Sequence, residues 1–346
     1  MTSIKRTLVI GGSGLISTAL TRQLLNRGDE VTLFNRGRTP VRFSGEPKLI
    51  IGDRKNHVLF EEAIRKSGPW DCIIDMICSE PGDAESLLRA ARGLTGQVIF
   101  CSTTNVYPKP ADSYPVKPDH RLGAAYKNGL DKTACEKIHR EAALRGDYKL
   151  TLIRPGHSYG EGGDIVNSIK NASGYMDRVR RGKPVIVHGD GNGLWSSLHV
   201  EDVAAVFTAA SGNATAFGKT YNAAGSEWFT WNQYHAVIAK AMGVDCPPLV
   251  HIPIEVLMKL SPERAEHCAR SLQYPGIYDM SDAYADLGVE QTIPLIEGMA
   301  RTLRWIEENR GVEPCEKDSD YDRIIEDWES MKNWKRGVMK FTEEEG

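Results

Sequence analysis

The stretch Leu8-Val9-Ile10-Gly11-Gly12-Ser13-Gly14-Leu15-Ile16-Ser17 decides the fold: a short apolar strand runs into a glycine turn and on into a helical pattern. Gly11 permits a tight reversal. Gly14 lets the backbone approach a pyrophosphate, whose charge is met by the N–H groups that a helix start leaves without partners. Ser13, Leu15 and Ile16 belong to the same cradle. Ser17 stands where a third glycine is usual and is small enough to keep helix and strand close. The turn predicts a dinucleotide cofactor.

Outward from this turn, apolar β-rich runs near 6–10, 30–34, 48–51, 71–75, 97–101 and 149–153 alternate with helical periods. Such alternation predicts an α/β fold, a doubly wound parallel Rossmann sheet with its ligand beyond the carboxyl ends of the strands. After Arg154-Pro155 the rhythm loosens, with helical stretches near 164–181, 201–211, 229–242 and 293–309. The expected division is a dinucleotide-binding domain over 1–155, rejoined by part of 195–225, and a smaller substrate-binding lobe with a tail over 156–346. Arg178, Arg180, Arg181 and Lys183 read as a solvated basic helix end. In the tail, Tyr321, Ile324, Ile325, Trp328, Met331 and Trp334 recur at helical spacing and predict an amphipathic helix.

Of the 346 residues 41% are apolar, enough for a large core, and the net charge is −3 without a dense basic block, so nucleic acid is not an implied partner. No apolar run approaches the ~18 residues of a membrane span. Seven widely spaced cysteines, an odd number without a C-x-x-C pair, read as free thiols of a reducing compartment, and the cytoplasm is the expected location. The nine histidines show no metal-ligand spacing, so no metal is expected.

The second strand ends Leu33-Phe34-Asn35-Arg36-Gly37-Arg38. Asn35 occupies the position of the acid that holds a ribose diol in NAD-preferring sites, and Arg36 and Arg38 can pair with a 2′-phosphate, which predicts NADP. NAD stays open, because Asn35 can also bond a plain ribose hydroxyl. Asp53 is placed beside the adenine, and Met76 borders the cofactor at the end of a further strand.

Further motifs are Gly52-Asp53, Cys101-Ser102-Thr103-Thr104-Asn105-Val106-Tyr107, Lys132-Thr133-Ala134-Cys135-Glu136, Arg154-Pro155 with Tyr159-Gly160, Gly189-Asp190-Gly191 and His199-Val200-Glu201-Asp202-Val203. Together they resemble the extended short-chain dehydrogenase/reductase family, its NAD(P)-dependent epimerase/dehydratase branch, over roughly residues 5–310. Asn35-Arg36-Gly37 and Ile74-Asp75-Met76 look closest to atypical members that include chloroplast stem-loop-binding proteins.

The resemblance implies that a Ser/Thr and a Tyr-x-x-x-Lys pair handle the proton while nicotinamide handles the hydride. By spacing, the Ser/Thr falls on Thr103 and the lysine, which also holds a cofactor ribose, on Lys132. The tyrosine position holds Asn128, an amide that can orient a substrate oxygen but cannot act as a general base. Tyr126 lies two residues earlier; a regular helix turns it away by about 200°, and a distorted chain would let it into the site. Tyr107, Tyr159, His157, Asp75 and Lys132 itself are the other candidates for the proton.

On the substrate side the resemblance places Thr104, His157 where the family has asparagine, Tyr159, and Trp195 where the family has a diphosphate-binding arginine. Losing that guanidinium removes a phosphate clamp, and an indole adds a stacking surface, so a smaller or less charged ligand such as a sugar ring is expected. The family also suggests a homodimer through helices near 82–95 and 128–145. The leading expectation is an NAD(P)-dependent oxidoreductase of the epimerase/dehydratase type acting on a secondary alcohol or ketone of a sugar- or polyol-like molecule. The alternatives are a one-way NADPH-dependent carbonyl reductase and, from another class, a non-catalytic nucleotide- or RNA-binding module.

Overall fold

In a computed structural model, which describes residues 5–38, 45–170 and 174–344 and side chains as far as residue 333, the chain forms two compact units. The first comprises residues up to 160, 196–227 and 277–294; the second comprises 161–195, 228–276 and 295–346.

The first unit is built on a seven-stranded, wholly parallel sheet. Its strands are β1 (Arg6–Ile10), β2 (Glu30–Asn35), β3 (Lys48–Ile51), β4 (Trp70–Asp75), β5 (Thr95–Cys101), β6 (Lys149–Pro155) and β7 (Thr220–Ala223), in the order β7-β6-β5-β4-β1-β2-β3. Successive side chains of a strand point to opposite faces. Val9, Ile74, Ile99 and Ile153 therefore pack on one face with α1 (Leu15–Arg27) and α5 (Val200–Ala210). Leu8, Ile73, Val98 and Leu152 pack on the other with α2 (His57–Ser67), α3 (Pro81–Ala91) and α4 (Lys127–Leu144). Both faces are covered, which is why these strands read as near-continuous apolar runs.

From β1 the chain steps outward through β2 and β3 on one side and through β4 to β7 on the other. The winding reverses between β1 and β4, where a ligand crevice belongs. The six expected strands are present, and β7 is a seventh that the sequence reading did not include. It has four residues; Tyr221 and Ala223 enter one core while Asn222, on the opposite side, accepts from the Tyr107 hydroxyl at 2.7 Å.

In the second unit, Val185–His188 pairs in parallel with Leu249–Ile252. Tyr321 and Ile324, on the long helix Ser319–Glu344, pack with Ile186, Ile252 and Leu257. The Trp334 side chain lies outside the described residues. Two expectations need correction. Residues 164–170 are not helical; among the described residues of the expected stretch, the helix is Tyr175–Arg180. Arg310 holds the Gly162 and Gly163 carbonyls at 2.7 and 3.2 Å and pairs with Asp164, which ties the entry to this stretch as a loop. Arg178 is not solvated: it is 1% exposed, over the Tyr321 ring and bonded to Asp322 at 2.7 Å.

Candidate active site

Gly11, Ser13, Gly14, Leu15, Ile16, Asn35, Arg36, Arg38, Asp53 and Met76 come together around one cleft of about 540 Å3 at the carboxyl ends of β1 to β4. Two features shape its floor. Gly11 adopts φ +89°, and a Cβ there would collide with the Ile77 side chain, so the reversal needs glycine on both counts. Gly14 caps α1, and its N–H donates to Ser17 Oγ at 2.8 Å. Ser17 thus does more than replace a small residue: it closes the cap, and the amides that follow Gly14 remain at the helix start to meet an anion. Around Gly14 the Ser17 hydroxyl is the near neighbour of an added Cβ, so the turn leaves room for a ligand to approach the backbone. These residues fit a dinucleotide diphosphate.

At the end of β2, Asn35 Oδ1 accepts from the Gly37 N–H at 2.8 Å, which bends the chain so that Arg36 and Arg38 stand exposed on the cleft rim. Asp53 is exposed and turns the chain by accepting from the Lys55 N–H at 2.9 Å.

The sequence reading missed the wall behind this rim. Arg54 lies buried over the Phe60 ring and donates to Asp75 Oδ2 at 2.9 Å. The other carboxylate oxygen of Asp75 accepts from the Ile77 and Cys78 amides at 3.2 and 3.0 Å. This clamp holds Ile77 against Gly11. Asp83 continues the network: burial alone would raise its carboxyl, but Lys55, the Ser79 amide, His57 and Arg54 outweigh that and hold it down at about 2. The signal available in the sequence was a charged Asp53-Arg54-Lys55 run entering a helix, which by itself reads as surface.

The proton-handling candidates stand where β5 meets α4. Thr103 caps a short turn, Thr104–Val106, with its Oγ1 accepting from the Asn105 N–H at 3.2 Å. Lys132, half-buried on α4, donates to the Cys101 carbonyl at 2.6 Å and lies over the Phe100 ring. Glu136, one turn further on, sets this geometry. Its carboxylate takes the Ser102 hydroxyl at 2.6 Å and both Nε and Nη2 of Arg154, at 2.8 and 2.6 Å, inside the core. A bidentate buried pair with a third donor fixes helix and strand together, and with them Lys132 and Thr103. Arg154 Nη1 also donates to the Tyr107 hydroxyl at 2.8 Å, which engages that phenol deep in the structure.

Asn128 is the second residue of α4 and is exposed. Tyr126 precedes the helix as its cap, in an extended conformation (φ −126°, ψ 154°), so helical rotation does not govern where its phenol points. Thr104 is buried in the turn, hydrogen-bonded to Tyr278. His157 Nδ1 is 2.9 Å from Ser197 Oγ, and Tyr159 is buried with its ring edge-on to His199. Trp195 belongs to the second unit, where it stacks on Trp231 and is buried.

A family model of NAD dependent epimerases and dehydratases matches residues 7–224. The chain belongs to that family. Its members are NAD-dependent enzymes of the extended short-chain dehydrogenase/reductase type, and the glycine turn, the Thr103 turn and Lys132 all lie inside the matched span. The chain is 26% identical over 275 residues to the 2'-dehydrokanamycin reductase of Streptomyces kanamyceticus, covering 80% of this chain and 77% of that protein. It is 27% identical over 341 residues to a chloroplast stem-loop binding protein of 41 kDa from Arabidopsis thaliana, covering 93% and 84%. The UDP-glucose 4-epimerase of Thermotoga maritima, solved with UDP-glucose, shares the fold with a TM-score of 0.71 at 20% identity, over 88% of this chain and 99% of that one. Among the described residues no helix is long and apolar enough to cross a membrane.

Proposed function

We propose that this family member transfers hydride between NADP(H) and a secondary alcohol or ketone of a sugar- or polyol-like small molecule, using a site in which Asn128 replaces the usual tyrosine. The observation that carries the cofactor choice is the end of β2: Asn35 in place of an acid, with Arg36 and Arg38 exposed beside it on the rim. When bound, the nicotinamide gives or accepts the hydride. The residues of this chain do the rest. First-turn amides of α1 hold the diphosphate, Lys132 holds a ribose with its cation, and the Thr103 hydroxyl and the Asn128 amide orient the substrate oxygen. His157 lines the substrate side in this proposal. The relative that is by name a reductase, together with the NADP-selecting arginines, favours one-way reduction over epimerisation.

Replacing Arg36 and Arg38 by alanine tests the cofactor choice. Loss of charge-assisted bonds worth about 1.5–3 kcal/mol is expected to weaken NADPH binding roughly 10- to 100-fold while leaving NADH binding nearly unchanged, read by fluorescence titration. Equal losses for both cofactors would reject the phosphate assignment. Net NADPH consumption, as opposed to recycling of the cofactor, separates reductase from epimerase.

Likeness to the stem-loop binding protein favours a second reading, RNA binding without catalysis. With a net charge of −3 it predicts weak affinity that falls steeply between 50 and 200 mM salt. A homodimer across α3 and α4 belongs to the main proposal, supported by Leu130 and Leu144, which α4 leaves exposed.

A further inference from the structure

We propose that Cys78 and Cys135 are a redox modification site: hydrogen peroxide joins them in a reversible disulfide, and that bond weakens cofactor binding. The effect on the cofactor rests on the hydride-transfer reading above; the bond itself does not. All seven cysteines are free thiols, and six are buried. Cys78 and Cys135 stand 57 positions apart, yet the fold packs them sulfur to sulfur: Cys78 Sγ donates to Cys135 Sγ at 3.7 Å, and both residues are 0% exposed. A disulfide spans about 2.05 Å, so the two sulfurs have about 1.7 Å to close.

Each sulfur belongs to a segment that shapes the site. Cys78 follows β4, where its N–H and that of Ile77 donate to Asp75 Oδ1 at 3.0 and 3.2 Å, and where the Ile77 side chain fills the space beside Gly11. Cys135 lies on α4 between Lys132 and Glu136. The Glu136 carboxylate fastens α4 to Ser102 and Arg154, so the helix is the fixed side of the pair. When the bond forms, Cys78 is the residue that travels. It draws Ile77 with it and disturbs the fit of that side chain against the Gly11 turn.

The two thiols are not equivalent. The Cys78 S–H, together with the Lys132 cation, holds the Cys135 thiol below its ordinary range against the opposing effect of burial, whereas the Cys135 sulfur and burial push Cys78 up. Cys135 is therefore the attacking sulfur and Cys78 the resolving one. Both are buried, so the reaction runs through brief opening of the segment after β4, and a water-sized oxidant fits where a bulky disulfide reagent does not.

The Cys135 thiolate attacks one oxygen of hydrogen peroxide; the O–O bond breaks, and hydroxide leaves as water with the proton that Cys135 gave up, giving a sulfenic acid. The Cys78 sulfur then attacks the Cys135 sulfur. The S–S bond forms, the S–O bond breaks, and the second hydroxide takes the Cys78 proton. The two thiols lose two electrons in all, and one peroxide becomes two waters. A dithiol reductant reverses the bond by exchange.

The test uses Cys246→Ser protein, which lacks the exposed thiol and with it the simplest route to links between molecules. After treatment with hydrogen peroxide, alkylation of remaining thiols and digestion by trypsin, mass spectrometry is expected to show residues 133–137 joined to residues 67–89, two hydrogens lighter than the separate thiol peptides. Fragment ions should place the bond on Cys78 and not on Cys72. NADPH affinity, read by fluorescence titration, is expected to fall about 10-fold or more on oxidation and to return with dithiothreitol. In Cys135→Ala and Cys135→Ser the peroxide effect should vanish, with reduced affinity within about 2-fold of the parent. Met76 and Cys101, which also line the cleft, are still present in those variants and would keep any response of their own. Reversal by dithiothreitol is read without a change at position 135, so a variant that fails to fold does not remove the test. A missing link between the two peptides, an affinity that oxidation leaves unchanged, or a loss that persists in the Cys135 variants overturns the proposal. If reduced wild-type protein binds neither NADP(H) nor NAD(H), the hydride-transfer reading fails instead, and the joined peptides alone decide whether the modification site exists.

Discussion

Replacing Glu136 by alanine is expected to destabilise the first unit by about 3–5 kcal/mol, measured by urea unfolding. Glu136 and Arg154 are each 1% exposed. Removing the carboxylate strands a guanidinium in the core and leaves the Ser102 hydroxyl without its acceptor. The cost is that of an uncompensated buried charge, which exceeds what the pair contributes relative to well-packed apolar residues. Glu136→Gln keeps an acceptor for Ser102 and one Arg154 contact, so a smaller loss is expected. Any folded fraction of the alanine variant should also have lost activity, because the same carboxylate ties the helix bearing Lys132 to the strand leading to Thr103. An unfolding midpoint unchanged from wild type would show that this lock does not hold the site.

Lys132→Ala should act in the opposite way, with little change in stability and a large change in rate. Lys132 is half-buried and its bond to the Cys101 carbonyl is a single contact at the edge of the core. In the proposed site, what alanine removes is the cation that would hold the cofactor ribose. A lost charge-assisted bond of about 1.5–3 kcal/mol corresponds to roughly 10- to 100-fold in kcat/KM for hydride transfer. Initial rates, together with thermal melts that overlay wild type, check both halves. Full activity in this variant would remove Lys132 from the site.

What the sequence makes legible here is local. Strand, glycine turn and helix follow one another between Leu8 and Ser17, and a positive φ is something a glycine can announce by itself. Asn35, Arg36 and Arg38 are equally readable, because the end of β2 places consecutive residues on one rim. The features that escaped are those made by distant segments. The strand β7 has four residues, one of them Asn222, and becomes a strand only against β6, some seventy positions earlier. Ser102, Glu136 and Arg154 each read as ordinary polar positions until the fold brings them within hydrogen-bonding distance. The helix expected over 164–181 is shortened for a related reason: Arg310, far along the chain, holds the Gly162 and Gly163 carbonyls and Asp164 and so ties the entry to that stretch as a loop.

The central claim is that the backbone amides after Gly11 grip a dinucleotide diphosphate, and isothermal titration calorimetry with NADP(H) and NAD(H) tests it most directly. Wild-type protein should bind at one site per chain, with NADPH preferred, and Gly11→Ala should lose about 100-fold in affinity or more, since its φ of +89° and the Ile77 side chain both oppose an added Cβ. Heats of zero for all four nucleotides with correctly folded wild-type protein, or undiminished binding by Gly11→Ala, would contradict the account.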